Sequence, residues 1–345
     1  MKFACYKALI ATMVVSPLPL LRARSPSRLY CHTSTPALPL LSHRLQRIAS
    51  FIPTTGSSGI LADIGCDHAL LAASLALSPA HKFDYIYACD RSEAALRHAR
   101  QQLGHLASSA SNPDPNANPR LRFLLGDGLE PLVHTLTLAN PSPTPTPNTD
   151  PNPNPTHVTL VLSGMGVSAL VDILAPEKVE QLERGGFSVQ RIVIQPWPPY
   201  LLPLSRACHF VANLGRGQGR AGVQEGNNCD GDAEGGFAFE HQAIDVVQGE
   251  SYVTTSFVRR GAGGDLGGLD EVEVFRRSPL FLRYGVGGST HTPSTAHPTP
   301  SERCAWHAYV AEQRGDLGLR LAGGGGRRGG VDVVARLLKL LSPNP

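Results

Sequence analysis

Five short apolar runs, each closing on a glycine, an acid or an amide, limit what this chain can fold into. They are GILADIGCDH (59–68), YIYACD (85–90), LRFLLGDG (121–128), HVTLVLSGMG (157–166) and RIVIQPW (191–197). Segments of helical length separate them, over 69–77, 92–104, 129–138 and 168–183. Each run has the length of a buried strand rather than of a buried helix. Strands alternating with helices predict a parallel sheet with helices on both faces. An amphipathic helix over 41–51 comes first, with Leu41, Leu45, Ile48 and Ile52 at helical spacing and Ser42 placed to cap it.

The core ends differently. Residues 237–247 and 252–259 are strand-like and flank Gln248-Gly-Glu-Ser251, which reads as an antiparallel hairpin at the sheet edge. Five parallel strands plus a terminal antiparallel pair is the strand inventory of the class I methyltransferase fold, a Rossmann-like α/β sheet. Past Gly261 the pattern is irregular, with helices expected over 302–322 and 331–341. The expected organisation is therefore a leader (1–40), a catalytic domain (41–260) and a poorly defined C-terminal helical extension (261–345). Three low-complexity inserts interrupt the domain, at 107–119, 139–156 and 213–236. They are rich in Pro, Asn, Ser or Gly and fall between elements, where insertion costs little.

Residues 1–62 hold no Asp or Glu but carry Lys2, Lys7, Arg22, Arg24, Arg28, Arg44 and Arg47. A basic, acid-free leader predicts an organellar transit peptide, for chloroplast or mitochondrion, with a secretory signal or a cytoplasmic protein as alternatives. No apolar run reaches the roughly 20 residues a transmembrane helix needs. The seven cysteines form no C-x-x-C pair and no metal-ligand spacing, so reduced thiols and no metal site are expected. A net charge of +3 permits RNA binding without demanding it.

In open α/β sheets ligands sit at the carboxyl ends of the strands, where all five special sequences fall. Gly65 allows the tight turn and close approach of a cofactor loop, and Asp63 is placed to receive the ammonium of an amino-acid moiety. A plain strand-to-helix turn is the other reading. Asp90 closes the second run, where an acid accepts ribose hydroxyls; it also suits a helix cap. Asp127 and Gly128 suit contact with an adenine amino group, or a turn. Gly164 and Met165, in Ser163-Gly-Met-Gly166, stand where amino-directed nucleic-acid methyltransferases carry an acid or amide followed by Pro-Pro-aromatic; they are candidate cofactor contacts, or a glycine turn that packs a helix against the sheet. Gln195 and Trp197 are candidates for substrate binding, Trp197 by stacking a flipped base or simply by covering the core. Arg206, Arg259, Arg260, Arg276 and Arg277 are candidate phosphate contacts.

LSHRLQRIASFI, LADIGCDHALLA, GDGLE, LVLSGMG, IVIQP and the closing hairpin, in this order, resemble the bacterial tRNA (adenine-22 N1)-methyltransferase family over residues 40–260. The resemblance implies S-adenosyl-L-methionine as methyl donor and tRNA as substrate. It implies cofactor contacts from Asp63, Gly65, Asp90 and Asp127, and a C-terminal helical appendage that helps hold RNA. Asp67 and His68 match the family's Asp-His pair and are the catalytic candidates, Asp67 stabilising positive charge on the methylated ring. Val167 and Leu70 depart from the pattern, standing where the family has a glycine and a tyrosine. A class I methyltransferase for another RNA, a protein or a small molecule, and a non-catalytic RNA-binding module, are the alternatives.

Overall fold

The computed structural model describes residues 41–54, 59–103, 120–139, 155–214, 236–260, 269–284, 300–322 and 328–341. The leader and nearly all of the three inserts lie outside the described residues. Helix α1 (His43–Ser50) starts where Ser42 accepts a hydrogen bond from the Leu45 N–H. It is followed by β1 (Ile60–Ile64), α2 (Leu70–Leu77), β2 (Tyr85–Asp90), α3 (Glu93–Leu103), β3 (Leu121–Leu125), α4 (Glu130–Ala139) and β4 (Thr156–Ser163). Then come α5 (Val167–Ile173), α6 (Pro176–Arg184), β5 (Phe187–Gln195), α7 (Leu201–Asn213) and the hairpin β6 (Phe237–Val247) and β7 (Glu250–Arg259). Four helices close the chain: α8 (Glu271–Arg276), α9 (Pro279–Tyr284), α10 (Pro300–Ala322) and α11 (Arg328–Leu341).

The seven strands form one sheet in the order β3-β2-β1-β4-β5-β7-β6. The first five are parallel, and β7 joins β5 and β6 antiparallel. This is the expected class I architecture. Alternation along β1 divides the core between two faces. Ile60, Ala62 and Ile64 join the cluster under α4 to α7, while Leu61 joins Ile48 of α1 and Leu71 and Leu75 of α2 on the other face. Asp63 shares the Leu61 parity, so it points toward α1 and α2.

Register brings the strand ends level. Ile64 pairs with Cys89 and Leu162, Asp90 with Leu125, and Ser163 with Gln195. The loops after β1 to β5 therefore emerge along one edge.

The pattern past β5 differs from the sequence expectation in two ways. Strand β5 begins at Phe187, four residues before the apolar run, and α7, α8 and α9 were not anticipated. Helix α7 is buried along most of its length, so it lacks the polar face that marks an amphipathic helix. The C-terminal helices also belong to the same core as the sheet: Trp306, Tyr309, Leu317, Val334, Leu337 and Leu341 pack in the α4–α7 cluster. Gln313 accepts the Leu201 N–H at 2.6 Å, and the Tyr309 hydroxyl donates to the Pro199 carbonyl at 2.9 Å. No boundary at residue 260 divides that core.

Candidate active site

The loop after β1 is held by β2. The N–H groups of Gly65 and Cys66 both donate to the Cys89 carbonyl, at 2.8 and 3.1 Å, and the Asp67 N–H donates to Asp90 Oδ2 at 2.9 Å. Gly65 has φ +73°, and a Cβ there would stand 3.0 Å from the Met165 methyl. Asp67 and Ala69 also adopt positive φ, 50° and 52°. This explains an acid where a cofactor loop ordinarily spends a second glycine: Asp is among the few residues that enter the left-handed region readily. The turn is made by Asp67 itself, which leaves its carboxylate 73 % exposed over the loop.

Two cavities open along this edge and share Gly65. One, of about 300 Å³, is walled by Gly65, Asp90, Gly126, Asp127, Gly128 and Met165, among others. Asp90 is oriented by its own loop, Oδ1 accepting the Ser92 N–H at 2.8 Å and Oδ2 that of Asp67. Each oxygen retains a lone pair for a ligand hydroxyl. The helix-cap role falls instead to Ser92, whose Oγ accepts the Ala95 N–H. Gly128 has φ +55°, and a Cβ there would meet Ile173 at 3.1 Å, so close packing as well as the turn calls for glycine.

The second cavity, of about 440 Å³, lies toward α1 and α2. Its walls include Arg44, Asp63, Gly65, Asp67, His68, Leu70, Ser163 and Gly164. Asp63 is 3 % exposed, and burial pushes its carboxyl up to about 7, with Asp90 adding to the rise and Arg44 opposing it. A buried acid in that state is ready to be ionised by an incoming cation. Burial, with the Asp63 and Asp90 carboxylates beside them, also drives the Cys66 and Cys89 thiols far up, so neither serves as a thiolate nucleophile.

Three residues of the site gave no signal in the sequence. Arg44 reaches the second cavity from α1. His98 of α3 faces His68, with their Nδ1 atoms 3.1 Å apart and the rings edge-on. His68 Nε2 also lies 3.6 Å from Asp67 Oδ2, and Gln102 Nε2 lies 3.2 Å from His98 Nε2. Tyr252 of β7 stacks on Trp197, with ring centroids 5.2 Å apart at 21°. All three come from elements distant in sequence from the loops they meet.

Other expectations need correction. Gln195 is 1 % exposed; its amide nitrogen donates to Thr254 Oγ1 at 2.7 Å, its Oε1 has no hydrogen-bond partner among the described residues, and it is absent from the walls of both cavities. Trp197 is 37 % exposed and one face of its indole is covered by Tyr252; its N–H backbone group donates to the Met165 carbonyl. Four of the five arginines named as phosphate contacts are paired with acids: Arg206 with Glu271, Arg259 with Glu183, and Arg276 and Arg277 with Glu273. Among the described residues there is no group of three or more His, Cys, Asp or Glu that could hold a metal ion, and no helix is long and apolar enough to cross a membrane.

Residues 41–137 match the family model described as a methyltransferase domain. No curated protein matches the chain in sequence. Among solved structures, the chain is similar to an uncharacterized protein of Listeria monocytogenes, with 14 % identity, TM-score 0.53, and 88 % of this chain and 98 % of that one covered. It is similar to Sp1610 of Streptococcus pneumoniae, with 17 % identity, TM-score 0.51 and coverages of 88 % and 100 %. It is also similar to TrmK of B. subtilis, an M1A22 tRNA methyltransferase, with 16 % identity, TM-score 0.50 and coverages of 88 % and 97 %. The match over residues 41–137 and the strand order agree, and the chain has the class I methyltransferase fold.

Proposed function

We propose that the protein is an S-adenosyl-L-methionine-dependent tRNA methyltransferase acting on N1 of adenine. The observation that carries the cofactor reading is the pair of cavities joined at Gly65. The first suits a nucleoside, with Asp90 for the ribose hydroxyls and Asp127 and Gly128 beside the base. The second suits an amino-acid end, with Asp63 for the ammonium. The groups present therefore fit the cofactor, and when bound it supplies an electrophilic methyl group on sulfur.

Support for tRNA and for adenine N1 comes from the DIGCDH, GMG and QP segments and from the tRNA methyltransferase named among the similar structures. Adenine N1 offers a lone pair and has no proton to lose, so alignment matters more than a strong base. Positive charge grows on the ring as the methyl group arrives. Asp67, exposed on the wall of the second cavity, is the group to stabilise that charge, and His68 orients it. The organellar location rests on the acid-free leader alone, and fusion of residues 1–40 to a fluorescent protein tests it.

Calorimetric titration with S-adenosylhomocysteine tests the cofactor reading. Micromolar binding supports it, and no binding favours the non-catalytic alternative. Mapping methylated positions in organellar tRNA from a knockout tests the substrate.

A further inference from the structure

A row of polar side chains runs from α3 to the wall of the second cavity. Gln102 and His98 lie one turn apart on α3, so they share a face of that helix. Gln102 Nε2 stands 3.2 Å from His98 Nε2, His98 Nδ1 stands 3.1 Å from His68 Nδ1, and His68 Nε2 stands 3.6 Å from Asp67 Oδ2. The last separation is that of an electrostatic contact rather than of a full hydrogen bond. Asp67 and His68 line the cavity, whereas His98 and Gln102 line neither cavity.

With both rings neutral, the hydrogens in this row have two possible directions. Between the two Nδ1 atoms, one carries the hydrogen and the other supplies the lone pair. In the first direction the Gln102 amide nitrogen donates to His98 Nε2, and His98 Nδ1–H donates to His68 Nδ1. His68 then keeps its hydrogen on Nε2, facing the Asp67 carboxylate. In the second direction the Gln102 amide is turned over, its oxygen accepts from His98 Nε2–H, and His98 Nδ1 accepts from His68 Nδ1–H. His68 then turns an Nε2 lone pair toward the carboxylate, and two acceptors oppose each other. Only the first direction sets a hydrogen between His68 and Asp67.

We infer that His98, backed by Gln102, is a positioning residue that fixes the ring and tautomer of His68 so that Nε2–H points at Asp67. This rests on the role proposed above for Asp67, whose carboxylate must stay aligned with the ring that gains charge. His98 acts through His68 and touches no ligand. The arrangement leaves a signature: His98 must take the Nδ1–H form, which a free histidine side chain favours less. A histidine that merely sits on a solvated helix face has no reason to adopt it.

The first measurement needs no activity. Long-range proton–nitrogen NMR correlation on the ligand-free protein at about pH 8, where an ordinary histidine is neutral, reports which ring nitrogen carries the hydrogen. His98 is expected as Nδ1–H and His68 as Nε2–H. A His98 that carries its hydrogen chiefly on Nε2 overturns the assignment. The second measurement is turnover. His98→Ala should lower kcat roughly tenfold, with KM for tRNA and affinity for S-adenosylhomocysteine unchanged. His98→Asn, whose amide donates to His68 Nδ1, should recover most of that loss, and His98→Asp, which only accepts, should not. An Ala variant with wild-type kcat overturns the assignment, as does an Asn variant no faster than the Asp one. A wild type that shows the expected tautomers but methylates no tRNA overturns the methyl-transfer reading, and the purpose assigned to His98 with it.

Discussion

At the scale of single residues, Asp63 sets a pH dependence with a definite sign. Burial holds its carboxyl near 7 in the ligand-free fold, against 3.8 in a model peptide. An ammonium binds the ionised form, so affinity for S-adenosylhomocysteine should rise as pH climbs from about 5.5 to 7.5. Asp63→Asn should bind more weakly, with that rise removed. Stability runs the other way. The contribution of protonated Asp63 is fully present below 3.8 and is lost as pH rises through about 7. Ligand-free Asp63→Asn should therefore melt a few degrees above wild type at pH 8, with the gap closing toward pH 4. Thermal melts at both pH values check this, and a constant gap would contradict it. Asp63, Gly65, Asp90, Asp127 and Gly164 were legible in the sequence because each closes an apolar run, and register brings run ends together. Arg44, His98 and Tyr252 were not. Each meets the site through packing between elements, and nothing in its own local sequence distinguishes it from a solvated charge or an ordinary helix or strand position.

At the scale of elements, α1 is the piece whose placement matters most, since it carries Arg44 to the cavity. It is fastened to the hairpin edge by Arg47, whose Nε and Nη2 donate to the buried Asp245 carboxylate at 2.8–3.1 Å. His43 stands 4.0 Å from the same carboxylate. Arg47→Met leaves Asp245 buried without its main counter-charge, and should cost about 3 kcal/mol. Binding of S-adenosylhomocysteine should weaken as well, because α1 loses its anchor. Denaturant unfolding and calorimetry on the same variant separate the two, and unchanged affinity would show that α1 is held by its apolar face alone. Ser42 and the periodic Leu45, Ile48 and Ile52 made this helix readable in advance. The Arg47–Asp245 link was not, because the partners lie on α1 and β6, at opposite ends of the domain's sequence.

At the scale of the whole molecule, α8 to α11 behave as core. Leu280 N–H donates to Gln242 of β6, Arg336 pairs with the Asp270 carboxylate at 2.9 Å, and Trp306, Tyr309 and Leu337 are buried against the sheet's helices. A chain ending at residue 260 should lose cooperative unfolding or solubility rather than persist as a stable domain with reduced RNA affinity. A sharp thermal transition in that truncated chain would contradict this. The five parallel strands were readable, apart from the first four residues of β5, since buried parallel strands are written as continuous apolar runs. The C-terminal packing was hidden because α8 and α9 are only six residues each, too short to show a period. The proposed reaction is methyl transfer to N1 of adenine in tRNA. Its most direct measurement is nucleoside mass spectrometry of tRNA incubated with the purified protein and S-adenosyl-L-methionine. N1-methyladenosine should accumulate, and Asp67→Asn should lower its rate by ~10²-fold or more with cofactor affinity unchanged. A protein that binds the cofactor but leaves N1 of adenine unmethylated would contradict it.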